Sequence, residues 1–120
     1  MTNDTREFGI VKVKEGVEFT RIAPGGFRLL EAIAWTALNT RIDLTITSAC
    51  DGAHSGPDDP HHRGEAYDLR SHDMLPHQKQ DVLQTLGAAL EANRFYCFLE
   101  AEGTPNEHFH LQVKKGTTYP

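Results

Sequence analysis

The stretch His61-His62-Arg63-Gly64-Glu65-Ala66-Tyr67-Asp68 reads H-x-x-G-x-A-x-D, and further along Glu107-His108-Phe109-His110 reads E-x-x-H. Together they offer two imidazoles and a carboxylate as ligands, with a second carboxylate as base. A catalytic zinc needs that set: three protein ligands, an open position for water, and a nearby group to take the water's proton. Either half alone is a weak signal, because short His/Asp patterns arise by chance. Their joint occurrence in one short chain carries the reading.

The candidate ligands are His61, Asp68 and His110. A histidine in a loop and an aspartate on the strand that follows can turn toward one point, with Gly64 letting the chain bend between them. Ala66 is small enough for backbone to pass close by. An aspartate in a strand is disfavoured and costly if buried alone, and a divalent cation would remove that cost. Glu107, at a turn-to-strand junction, is the candidate general base, passing a proton from water to a leaving amine. His108, one pleat before His110, is the candidate to hold an oxyanion or orient a ligand. Ordinary explanations stand beside these. His62, His72 and His77 read as solvated side chains, and His54 as either a loop histidine or a group lining the site. Asp68 could instead pair with Arg63 or Arg70 at the surface, and Glu107 could be turn chemistry.

These groups must be positioned by the surrounding elements. Residues 8–22 suit one or two short strands broken at Gly16, and Pro24-Gly25-Gly26 is a breaker. Over 27–38, Leu30, Ile33, Ala34, Ala37 and Leu38 recur at helical spacing, with Trp35 as a core anchor and Asn39 as a stop. Residues 43–48 alternate as a strand, 49–60 form a loop of functional length, and 66–70 form a second core strand. Pro76 opens a helix that should end near Asn93. A β-prone run at 95–99, a turn at 100–106 and a strand at 108–113 follow. In that last strand His108, His110 and Gln112 lie on one face, and Phe109, Leu111 and Val113 on the other. The tail, 114–120, should be frayed. The fold class is α+β: a small, mainly antiparallel sheet with helices on one face.

Composition bounds the rest. The 120 residues are 38% hydrophobic and 24% charged, which fits a single globular domain over 1–120. A net charge of −5, with Lys and Arg scattered, argues against nucleic acid as a partner. No apolar run approaches the roughly 18 residues of a spanning helix, so no membrane insertion is expected. The first residues lack a signal core, so a cytoplasmic location is expected. A monomer is expected as well. Cys50 and Cys97 read as two reduced or buried thiols, Cys97 in the core. Seven histidines in a chain of this length, several around one segment, favour metal chemistry.

On these motifs the sequence resembles the zinc DD-peptidase superfamily: D-alanyl-D-alanine carboxypeptidases and dipeptidases, phage L-alanyl-D-glutamate endolysins, and the hedgehog signalling domain. The family's first motif, S-x-H-x-x-G-x-A-x-D, is matched here from Asp59 to Asp68. Its acid three residues before a ligand histidine is matched by Glu107 and His110. The run His108-Phe109-His110 resembles the H-x-H strand of the hedgehog branch, and Asp51-Gly52 followed by a histidine resembles phage and prophage members. The resemblance covers about residues 27–114. It implies a hedgehog/DD-peptidase-like zinc fold, with zinc held by His61, Asp68 and His110 and Glu107 as base. It further implies a peptide substrate from bacterial cell wall (peptidoglycan), and release to the wall on lysis or carriage in a virion. Two positions depart from the pattern. Asp59 replaces the usual serine, and the substrate-holding arginine of many peptidase members, just after the 44–48 strand, is absent, with Asp51 near its place. These departures leave a second expectation open: a zinc-binding structural or wall-binding module with weak or no peptidase activity.

Overall fold

Alternation in the strands and three- to four-residue spacing in the helices sort the apolar side chains onto one side of a sheet. The computed structural model describes residues 7–51 and 59–117. His54, most of the 49–60 loop and the end of the tail lie outside the described residues. In chain order the elements are β1 (Val11–Val13), α1 (Pro24–Thr40), β2 (Leu44–Ser48), β3 (Ala66–Arg70), α2 (Pro76–Ala89), β4 (Phe95–Glu100) and β5 (His108–Val113). They form a five-stranded mixed sheet in the order β1-β2-β3-β5-β4. Only the β1–β2 pairing is parallel; the other neighbours are antiparallel. The expected α+β class, a mainly antiparallel sheet with its helices on one face, is what the chain adopts.

Side-chain parity defines the two faces. Tyr67 and Leu69 of β3 and Phe109, Leu111 and Val113 of β5 are buried against the helices. The intervening Asp68, His108, His110 and Gln112 are half-buried on the other face, which carries no helix among the described residues. The two helices pack on each other and on the central strands, so the core lies in a single layer between them and the sheet.

Helix α1 departs from the sequence reading in three ways. Pro24-Gly25-Gly26 does not break the chain but forms the first turn, where proline's missing N–H leaves nothing unsatisfied. Gly26 is required there because a Cβ would run into the Gly64 carbonyl oxygen. The buried stripe is Leu29, Ala32, Ile33, Thr36 and Ala37, one position round from the expected one. Trp35 is therefore 45% exposed and not a core anchor, and Leu38 is 54% exposed. Small Ala32, Thr36 and Ala37 let the helix approach the sheet in a way the bulkier neighbouring stripe would not. The helix also runs past Asn39, whose amide donates to the Trp35 carbonyl at 2.8 Å, and ends at Arg41 in the left-handed conformation. Helix α2 stops at Ala89, short of Asn93. Both thiols are free, as expected; Cys97 packs beside the core and burial pushes its pKa up to about 12.

Candidate metal centre

Strand register builds half of the site. β3 and β5 pair with Asp68 opposite His110, both on the open face. His110 Nδ1 lies 2.9 Å from Asp68 Oδ1. On its far side His110 Nε2 lies 2.9 Å from Gln112 Oε1, one pleat along the same strand. An amide oxygen only accepts, so this contact assigns the ring proton to Nε2 and leaves Nδ1 facing Asp68.

The other half comes from the turn before β3. Asp59 Oδ1 accepts the His61 backbone N–H at 2.9 Å, and the His61 carbonyl accepts the Gly64 N–H at 3.1 Å. Gly64 closes the turn at φ +74, and a Cβ there would strike the Arg21 carbonyl oxygen. The glycine of H-x-x-G-x-A-x-D is thus fixed by backbone sterics. Asp59, the departure from the serine of the resembled motif, supplies an oxygen that holds the turn. The turn carries His61 over the open face at 7% exposure. Its Nδ1 is 3.0 Å from the Ala49 carbonyl oxygen, which again assigns the proton to the outer nitrogen. Its Nε2 then faces Asp68 Oδ1 at 3.4 Å. The two imidazoles meet edge to face with centroids 5.3 Å apart.

Two imidazole lone pairs and a carboxylate oxygen thus converge, all within 4.8 Å of one another. Three acceptors at that spacing repel unless a cation stands between them. The cation is either a proton or a metal ion. Proton sharing accounts for the titration of the pair. Burial pushes the Asp68 carboxyl up, but hydrogen bonds from His110 and His61 outweigh it and hold it well below the usual carboxylate range. For His110, burial lowers the pKa, but its bonds to Asp68 and Gln112 raise it by more. A divalent ion fits the same place, because each imidazole has its outer N–H tied to an oxygen, the arrangement that orients histidine ligands in metal sites. His61, Asp68 and His110 can therefore hold a metal ion, and the sequence-derived ligand set is brought together in full.

The expected base is not. Glu107 sits on the helix-facing side of the sheet at 3% exposure. It accepts from Ser71 Oγ at 2.7 Å and the Gly103 N–H at 3.2 Å, and pairs with Lys79 Nζ of α2 at 2.8 Å. Lys79 and Ser71 outweigh burial and lower its pKa to about 2. The placement beside the metal position expected for Glu107 is corrected: three residues back along an extended chain is an odd number, so its side chain points to the face opposite His110.

His108 does reach the site. Its Nδ1 is 2.7 Å from the Asn106 carbonyl oxygen, and its Nε2 lies 3.0 Å from Glu100 Oε2 and 3.7 Å from Asp68 Oδ1. Glu100 is the residue that sequence reasoning assigned to the turn. It ends β4 opposite His108 in the hairpin register, and its Oε2 is also 3.8 Å from His110 Nδ1. Glu100, His108 and His110 make a second group able to hold an ion, sharing His110 with the first. Alternation from Phe98, which also packs on His110 with centroids 5.3 Å apart, would have placed Glu100 on this face. Gln112 was put on the right face but given no role. Of the ordinary alternatives, Arg63 pairs with Glu65 at 2.7 Å while Asp68 is engaged by imidazoles. His62, His72 and His77 are exposed. The Cys50 thiol donates to the Arg21 carbonyl at 3.4 Å. No family model, curated protein or solved structure matches the chain.

Proposed function

We propose that this chain is a zinc-dependent peptidase acting on the stem peptides of bacterial cell wall. The observation that carries the reading is the convergence of His61 Nε2, Asp68 Oδ1 and His110 Nδ1, with both imidazoles tied by their outer N–H groups. A two-nitrogen, one-carboxylate set suits zinc in hydrolytic sites and leaves room for a further ligand. When bound, zinc supplies a Lewis acid that polarises the scissile carbonyl and acidifies water. The chain's own groups do the proton work. Glu100, half exposed and 3.0 Å from His108 Nε2, accepts the proton of the attacking water. The Asn106 carbonyl accepts from His108 Nδ1, so the facing Nε2, 3.0 Å from Glu100, takes that proton on from Glu100 and delivers it to the leaving amine. Glu107 stays outside this chemistry and ties the β4–β5 hairpin to α2.

The cell-wall substrate rests on the likeness of the two motifs to the zinc DD-peptidase superfamily, and phage delivery rests on the same likeness. Purified protein with zinc is expected to release new amine ends from purified sacculi; no release counts against the proposal. Glu100→Gln is expected to keep the metal and lose turnover, and full turnover in that variant would remove Glu100 from its role. The second reading, a zinc-stabilised wall-binding module, is favoured by the sequestration of Glu107. It predicts bound zinc and affinity for sacculi without any release of amines.

A further inference from the structure

We infer that α1 carries a docking face for a second copy of this chain, and that two copies pair antiparallel through it. Part of the stripe that periodicity set in the core lies outside. Phe27, Trp35 and Leu38 are 58%, 45% and 54% exposed, Ala34 between them is exposed, and Leu30 is half-buried at the edge. Core packing does not account for them, because the helix buries Leu29, Ala32, Ile33, Thr36 and Ala37 on its opposite side. A helix at the surface of a monomer needs one apolar face; α1 has two.

Spacing, shape and area point to the occupant. Phe27, Glu31, Ala34 and Leu38 follow one another at four- and three-residue steps, the spacing of a seam between two helices. Consider two antiparallel copies related by a two-fold axis near the middle of this stripe. The axis sets Phe27 against the partner's Leu38 and Glu31 against the partner's Ala34, and repeats both contacts in reverse. Small Ala34 leaves room for the stem of Glu31 to lie flat, with its carboxylate toward the rim. Beside the stripe runs a groove of about 360 Å³ lined by Arg28, Glu31, Trp35 and Ala89. The same axis brings the partner's Trp35 to this groove, near Arg28, whose guanidinium donates to the Ala89 carbonyl and is held in place by it. An indole and a guanidinium attract each other in such a contact. The face therefore complements itself, as a two-fold interface requires.

The area is sufficient. Phe27, Trp35 and Leu38 together show on the order of 350 Å² of apolar surface per copy. The smaller stable interfaces bury about 600 Å² per partner, of which a little over half, roughly 340 Å², is apolar. The helices lie on one side of the sheet and the metal centre on the other, so pairing through α1 leaves both centres open at opposite ends of the dimer. The pairing stands apart from the peptidase reading, and either can fail without the other.

The test is sedimentation velocity of the full chain from roughly 1 to 300 µM, the range expected for an interface of this size. The mass should move from monomer to dimer. Trp35 is the only tryptophan in the chain, so its emission should shift to the red on dilution over the same range. Leu38→Lys should weaken association roughly tenfold or more, with zinc content unchanged and the melting temperature of the dilute protein unchanged. Tyr96→Ser, on the open face, should leave association as it is. Phe27→Glu combined with Leu38→Lys in one chain should restore part of it, because opposite charges then meet twice across the axis. A monomer at every concentration overturns the inference, whether the stripe is bare or another protein covers it. A dimer indifferent to Leu38→Lys, a Trp35 emission that does not move, or a double variant no better than Leu38→Lys alone overturns it as well.

Discussion

Replacing Glu107 separates the two roles an E-x-x-H motif could give it. In the structure it is a buried anchor, with its carboxylate held by Ser71, Lys79 and the Gly103 N–H. Glu107→Gln keeps the shape but turns charge-assisted hydrogen bonds into neutral ones, a difference of about 1–2 kcal/mol. Glu107→Ala goes further, leaving Ser71 and Lys79 unpaired. Loss of one partner of a buried pair costs about 3–5 kcal/mol, and partial exposure of Lys79 puts this case at the low end. The melting temperature should fall by roughly 4–8 °C for the glutamine variant. The effect depends on pH with a fixed sign. The folded pKa is lowered from 4.5 to about 2, so the unfolded chain binds more protons in that interval. The contribution is full above pH 4.5 and is lost as pH falls to about 2. Denaturation of both proteins across that range should show the wild type losing its advantage over Glu107→Gln. Zinc affinity and turnover of the glutamine variant should match wild type at a temperature where both are folded. A variant with unchanged stability and abolished turnover would refute this placement and restore Glu107 as the base.

Other consequences are equally direct. Gln112→Leu frees the outer nitrogen of His110, and zinc affinity should drop about 10- to 100-fold in competition with a chelating dye, with little change in stability. Gly64→Ala forces a Cβ into a left-handed residue packed on Arg21, and should destabilise by about 2 kcal/mol or more in urea titrations. Zinc affinity should fall as pH drops, because protons compete for His110, and dialysis against chelator at acid pH should strip the ion faster than at neutral pH. Affinity independent of pH would place the ion elsewhere.

Much of this site was legible because strand parity is a strict rule. His108, His110 and Gln112 could be set on one face of β5, and Gly64 marked as a bend, from residue types alone. The same rule, applied backward from His110, puts Glu107 on the helix side; reading the junction as a flexible turn hid this. Its partner Lys79 comes from α2, a contact that local spacing cannot reveal. Glu100 was missed for a related reason: its role depends on the β4–β5 register, which pairs it with His108 across a long hairpin turn. In α1 two adjacent stripes both carry apolar residues, and the choice between them is made by how closely the helix must approach the sheet. Pro24-Gly25-Gly26 looked like punctuation, yet Gly26 is there so that the helix start can pack on Gly64, the turn that carries His61.

The most direct measurement is the metal content of the protein purified without a histidine tag, by mass spectrometry, alongside Asp68→Asn. About one zinc per wild-type chain is expected at neutral pH, with its loss in the variant and both proteins folded. Wild-type protein that stays metal-free in excess zinc, or an Asp68→Asn chain that holds the ion equally well, would contradict it.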